Sequence, residues 1–152
     1  MDDFDHRILQ LLQEDASLSV AAVAERVGLS ATPCWRRIQK LEASGVIRGR
    51  VALLDASQLE LSLTVFVHLR IARHDTDWLD DFTRAVMAMP EVMEVDRLAG
   101  NWDYLLRVLV TDMPAYDRFY KRLIEIEGLN DVSSSFSMQQ IKYTTAMPLD
   151  HL

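Results

Sequence analysis

Cysteine is nearly absent: Cys34 is the only one in 152 residues. That excludes an internal disulfide and any metal site built from several thiolates. The histidines, His6, His68, His74 and His151, show no metal-ligand spacing, so no metal site is expected. No nucleophile motif surrounds the serines or histidines, so the chain offers no catalytic residues and implies no cofactor. Long apolar runs are missing, which excludes a membrane span, and the acidic start MDDFDH is unlike a secretory signal. The expected compartment is the cytoplasm. Internal repeats and low-complexity segments are absent as well.

An overall positive charge is also lacking, since the net charge is −7. Its distribution matters more than its sum. Residues 26–50 hold six Lys/Arg (Arg26, Arg36, Arg37, Lys40, Arg48 and Arg50) against one acid, Glu42. Residues 51–152 hold nine Lys/Arg against sixteen Asp/Glu. This asymmetry points to a nucleic-acid-reading end attached to an acidic body. With 49% hydrophobic and 26% charged residues, the chain is ordinary globular protein, long enough for one domain or two small ones.

Asp3 or Asp5 suits the cap of a first helix, whose apolar stripe is Phe4, Ile8, Leu11 and Leu12 and which ends near Asp15–Ser17. Ser19 caps a second helix with Val20, Val23, Ala24 and Val27 facing inward. Gly28 follows, a residue that tolerates the left-handed conformation at a helix end. Leu29 fills the corner, and Ser30 caps a third helix through its hydroxyl, running to Ala43 with Gly45 as its stop. On this helix Cys34, Ile38 and Leu41 form one stripe. Thr32, Arg36, Gln39, Lys40 and Ala43 lie opposite, with Arg37 on one flank.

Helix, glycine turn, helix is the helix-turn-helix arrangement, in which the second helix of the pair enters the major groove. The charged and amide groups of the outer face suit phosphates and base edges. VIRGRVALLD then reads as a strand or wing, with Ile47, Val51 and Leu53 alternating around Arg48 and Arg50. Those two arginines clamp phosphates or simply occupy an exposed strand face. Cys34 reads as a small buried apolar residue rather than a redox switch. Trp35 is expected to pack against a neighbouring helix rather than touch bases.

DASQLELS, Asp55–Ser62, is a polar connection. Beyond it the period changes to two. Leu63, Val65, Val67, Leu69 and Ile71 share one face of a strand, and Thr64, Phe66, His68 and Arg70 the other. A helix follows over Asp75–Met89, buried through Trp78, Phe82, Val86 and Met89 and closed by Pro90. Strands are expected at Val92–Leu98 and Tyr104–Val110 around a GNWD turn. Asp112 caps a further helix with Pro114 in its first turn, packed by Tyr116, Phe119, Tyr120 and Leu123. Val132–Tyr143 completes a βαββαβ order, that of the ferredoxin-like split βαβ unit. Met87, Met89 and Met93 read as core.

FDHRILQLLQ, VGLSATPCWRRIQKLEASGVIRG, AGNWDYLLRV and IKYTTAMPL, in that order, resemble the Lrp/AsnC (feast/famine) transcriptional regulators over nearly the whole chain. The resemblance implies an α+β fold. Residues 1–54 would be a winged helix-turn-helix, 55–62 a connection, and 63–152 a ferredoxin-like, ACT-like domain for effector binding and oligomerisation. It implies double-stranded DNA as partner, and dimers assembling further, often to octamers. An amino-acid effector would bind between dimers.

DNA-binding positions expected on this footing are Ser30, Thr32, Arg36, Arg37, Gln39, Lys40, Arg48 and Arg50. The family's glycine-acid loop falls on Gly100, Asn101, Trp102, Asp103 and Tyr104. There a glycine lets backbone approach a ligand and Asp103 holds its ammonium. Alternatively GNWD is only a hairpin turn, with Asp103 bonding its own backbone amides. Among Ser133, Ser134 and Ser135, the last two are the candidates for effector contact; an exposed strand face is the other reading.

Three departures from the family pattern stand out. Ala99 precedes the glycine where relatives often carry Ser or Thr, Trp102 is larger than usual, and Glu60 and Ser62 replace common glycines. A second class has the same architecture: tetrapyrrole decarboxylase-like enzymes, expected to show a worn recognition helix. Arg36, Arg37 and Lys40 are intact here, so a regulator, not an enzyme, is expected. A ligand-independent DNA-organising protein is a third class.

Overall fold

The computed structural model describes residues 1–72 and 75–151, so His74 lies outside the described residues. It divides into two compact units, residues 1–53 with 141–152, and residues 54–140.

The first unit is built on three helices. In α1 (Asp3–Glu14) the cap is Asp2, one residue before the expected positions. Its carboxylate accepts the Asp5 amide at 3.1 Å while the Asp5 carboxylate accepts the Asp2 amide at 3.3 Å. Two otherwise orphaned donors are thereby satisfied reciprocally. Ile8, Leu9 and Leu12 are buried, with Phe4 and Leu11 only partly so. α2 (Val20–Val27) starts at Ser19, whose hydroxyl accepts the Ala22 amide at 3.1 Å, and stops at Gly28 with φ +76°. That left-handed backbone is where glycine escapes a Cβ penalty.

Helix α3 (Ala31–Ala43) begins after Ser30 as expected, but the Ser30 hydroxyl makes no capping bond. Pro33 occupies the first turn, where the amide it lacks has no helical acceptor. Gly45, at φ +78°, lets the chain leave the helix. Val23, Val27, Cys34, Ile38 and Leu41 interlock with α1 to form this unit's core, and Ile47 and Leu149 pack on its edge.

In the second unit a four-stranded antiparallel sheet has the order β2-β3-β1-β4. Its strands are β1 (Leu63–Ile71), β2 (Val92–Arg97), β3 (Tyr104–Val110) and β4 (Leu129–Phe136). Helices α4 (Thr76–Met87) and α5 (Met113–Ile124) cross between them. This is the ferredoxin-like order. Val65, Val67, Leu69, Leu106 and Val108 point into a core closed by Trp78, Phe82, Val86, Phe119 and Leu123. Asp75 and Asp112 cap the helices, as the sequence implies, and accept the amides of Trp78 and Ala115. Gly128 (φ +88°) is forced twice over, because a Cβ there would overlap the Trp78 indole nitrogen.

Three expectations need correction. The wing is not a strand: residues 46–55 carry no ladder, because the single chain places no backbone beside them to pair with. Val51 and Leu53 are 80% and 67% exposed. The last strand spans Leu129–Phe136 rather than Val132–Tyr143. It runs antiparallel to β1, and the Ser137 amide bonded to the Thr64 carbonyl is where β1 runs out of partners.

Residues 141–152 accordingly leave the sheet and belong to the first unit, where Gln13 exchanges two hydrogen bonds with the Met147 backbone at 2.8 and 3.0 Å. Met87 and Met93 are exposed, not core; Met87 falls one position past Val86 and so turns off the buried stripe, while Met89 is partly buried. Ala56–Leu59 form a 3-10 turn capped by Asp55, followed by Glu60 at φ +60°.

Candidate functional site

Two clusters fall where the sequence places chemistry. The first is the outer face of α3. Burial of Cys34, Ile38 and Leu41 turns Thr32, Arg36, Gln39 and Lys40 outward, all exposed. Arg36, Lys40 and Arg48 form no ion pair among the described residues, so their charge is free for a polyanion. Arg50 donates to Glu42 at 3.0 Å, and Glu42 also accepts from the Gln39 amide at 2.9 Å. Glu42 therefore pins the start of the extended segment to the helix. Ser30 is exposed with its hydroxyl uncommitted to a cap.

Arg37 differs from its neighbours. Its Nη1 lies 2.8 Å from both Asp2 and Asp5, and its guanidinium stands 5.3 Å from the Phe4 ring centre. Those carboxylates raise the Arg37 pKa further, with Asp5 the larger cause. Among the expected DNA-facing cations, Arg37 is paired with two carboxylates and Arg50 with one. Trp35, expected to pack, is 50% exposed instead. It sits one position past Cys34, which carries it off the buried stripe toward Arg36 and Gln39. Cys34 is fully buried, and burial pushes its thiol pKa up.

The second cluster is the loop joining β2 to β3. The Leu98 amide donates to the Asp103 carbonyl at 2.8 Å, and the Asp103 amide to the Leu69 carbonyl at 2.9 Å. Asp103 Oδ2 accepts the Ile71 amide at 2.8 Å. The carboxylate thus bonds a neighbouring strand rather than its own turn, and its second oxygen has no partner among the described residues. Gly100 has open space above it and no positive φ, so the chain's own folding does not demand a glycine there. Arg70 Nε donates to the Asn101 carbonyl at 2.9 Å, and its guanidinium lies 4.8 Å over Trp102. His68 meets the same indole at 5.6 Å between ring centres.

Strand alternation sorts the remaining loop and serine residues. Tyr104 turns inward, 6% exposed, against Phe82 in the core, so its side chain is not part of an open site. Ser134 pairs across from Val67 and faces the helices, where it hydrogen bonds the Tyr116 hydroxyl. Ser135 and Ser133, opposite Phe66 and His68, face the other way. Ser134 and Ser135 therefore cannot line one site. The open face instead brings together Trp102, Arg70, His68 and Ser133. Arg70 and His68 were missed as site residues, although their alternation on β1 already placed them on that face.

Two family models cover this chain: an AsnC-type helix-turn-helix domain over residues 1–42, and an Lrp/AsnC ligand binding domain over residues 64–147. The chain belongs to the Lrp/AsnC family. It is 49% identical over 151 residues to the DNA-binding transcriptional activator DecR of Escherichia coli K12, covering 99% of each chain. It is 52% identical over 149 residues to the glutamate uptake regulatory protein of Zymomonas mobilis, covering 98% of this chain and 91% of that one. A transcriptional regulator from Neisseria meningitidis, solved in complex with L-Met, is 40% identical and superposes with a TM-score of 0.95. That match covers 99% of this chain and 98% of the other. As an Lrp/AsnC member the chain is a transcriptional regulator.

Proposed function

We propose that the chain reads double-stranded DNA with the outer face of α3 and tunes that binding through an amino acid held at the β2–β3 loop. The observation that carries the DNA reading is the pattern on α3: an inner stripe fully buried, an outer face exposed, and Arg36 and Lys40 left without ion pairs. Arg36, Gln39 and Lys40 reach base edges. Ser30, Thr32 and Arg48 contact phosphates, with Arg50 held beside them by Glu42. Two copies of the chain, as a homodimer able to assemble further, set two such helices in successive major grooves of a pseudo-palindromic site. Binding rather than catalysis is the task, and the cytoplasm, where the DNA lies, is the place.

For the effector, Arg70 and the loop amides suit a carboxylate, the free Asp103 oxygen suits an ammonium, and the Trp102 ring gives an apolar wall. The L-Met complex of the Neisseria relative supports an amino acid as the class. Fluorescence anisotropy on the cognate operator tests the first half. Arg36→Ala should weaken specific binding by about 1–3 kcal/mol, the worth of a bidentate guanine contact. Unchanged affinity together with unchanged base preference would remove Arg36 from the groove.

Thermal unfolding against the twenty amino acids tests the second half. A ligand at about 100 times its dissociation constant adds roughly 2.7 kcal/mol to stability. Asp103→Asn keeps an acceptor for the Ile71 amide but loses the charge, and should abolish the shift while sparing DNA affinity. A normal shift in that variant would mean the ammonium binds elsewhere.

A further inference from the structure

A cleft of the second unit opens at the end of the sheet opposite the GNWD loop. It is an open cleft of about 590 Å³ where β1 begins and β3 ends, alongside α5. The register makes the separation plain: Leu63 pairs with Val110 at this end, and Leu69 with Tyr104 at the other. Six residues of strand put the two ends roughly 20 Å apart. Leu61, Leu109, Val110 and Ala115 supply apolar walls, and Arg118, Lys121 and Arg122 stand along the rim.

The three cations are not equivalent. Arg122 is bonded to Glu91 and neutralises that carboxylate, and the other Glu91 oxygen is buried without a hydrogen-bond partner among the described residues. Lys121 pairs with Asp117 at 2.6 Å on the exposed side of the helix. Arg118 has no ion pair among the described residues and lines the same cleft as the apolar residues. The volume is in the range of small-molecule sites, which combine apolar lining with a few placed polar groups. A planar guanidinium matches a carboxylate through two parallel hydrogen bonds.

We propose that this cleft binds a small amphipathic carboxylate, its head on Arg118 and its apolar chain along Leu61, Val110 and Ala115. The site is separate from the loop proposed for the amino acid and does not depend on it. Its occupant touches both α5 and the segment where the inter-unit connection enters β1, so binding there ties those two pieces together.

Equilibrium dialysis of the full chain against radiolabelled octanoate tests this. Binding should saturate at a single equivalent per chain. Acetate, which lacks the chain, and octan-1-ol, which lacks the charge, should each compete far less well than unlabelled octanoate. Arg118→Gln should weaken binding about tenfold or more, the worth of a charge-assisted hydrogen bond. Arg118→Lys should retain part of the affinity, and Arg84→Gln, exposed and paired with Asp81 on another helix, should change nothing. Non-saturable uptake, or wild-type affinity in Arg118→Gln, overturns the proposal. So does loss of octanoate in Asp103→Asn, which would move the site to the loop.

Discussion

Asp2 and Asp5 meet at Arg37, a side chain that stands on the flank of the helix proposed to read DNA yet closes a contact within the fold. The bond from the Asp5 amide, and then the Arg37 guanidinium, hold the Asp2 carboxyl below its ordinary value of 3.8. A carboxyl depressed in the folded state stabilises the fold above its unfolded pKa, and that contribution is lost as pH falls through the folded one. Asp2→Asn keeps a good N-cap but removes the charge. Its melting point should therefore lie below wild type at pH 7, with the gap closing as the pH drops below about 4. A gap that persists at low pH would mean that the amide disturbs the cap rather than the ion pair.

Among the elements, those set by local chemistry were legible. Ser19 and Gly28 bracket α2, Asp112 and Pro114 open α5, and the alternation of β1 separates core from open face as read. What was not legible depends on distant partners. A strand ends where its neighbour ends, so β4 stops at Phe136 although apolar residues such as Ile141 continue. A wing needs a second backbone, so exposed Val51 and Leu53 lie without a ladder. Tyr104 and Ser134 matched the family's loop and strand positions, yet parity on a strand turned both toward the helices.

The tail is the largest such surprise. Gln13 clasps Met147 and Leu149 packs on the helical core, so residues 141–152 help to hold the reading head together. Ending the chain at residue 140 should lower the stability of that unit by about 1–3 kcal/mol, from lost apolar burial and two hydrogen bonds. Hydrogen exchange of the α1 amides is the measurement. Protection equal to that of the full chain would show the tail to be a passenger.

Over the whole molecule, charge is sorted rather than balanced: the basic segment of residues 26–50 is set against a strongly acidic remainder. Attraction to DNA is then carried by few groups, and each phosphate they neutralise releases counterions. The slope of log affinity against log salt should flatten by about one when Arg48, placed on a phosphate, is changed to Gln. Arg37→Gln should leave the slope unchanged, since its charge is already matched by Asp2 and Asp5. A drop equal to that of Arg48→Gln would put Arg37 on the DNA.

Cys34 gives the chain a built-in clock. It is the only thiol, it is fully enclosed between the helices of the first unit, and the second unit has none. An alkylating reagent can capture it only when α3 lifts from α1 and α2, so the labelling rate counts openings of the reading head and is silent on the sheet. With DNA, an amino acid or a carboxylate added in turn, the same reaction reports which of them keeps the head shut.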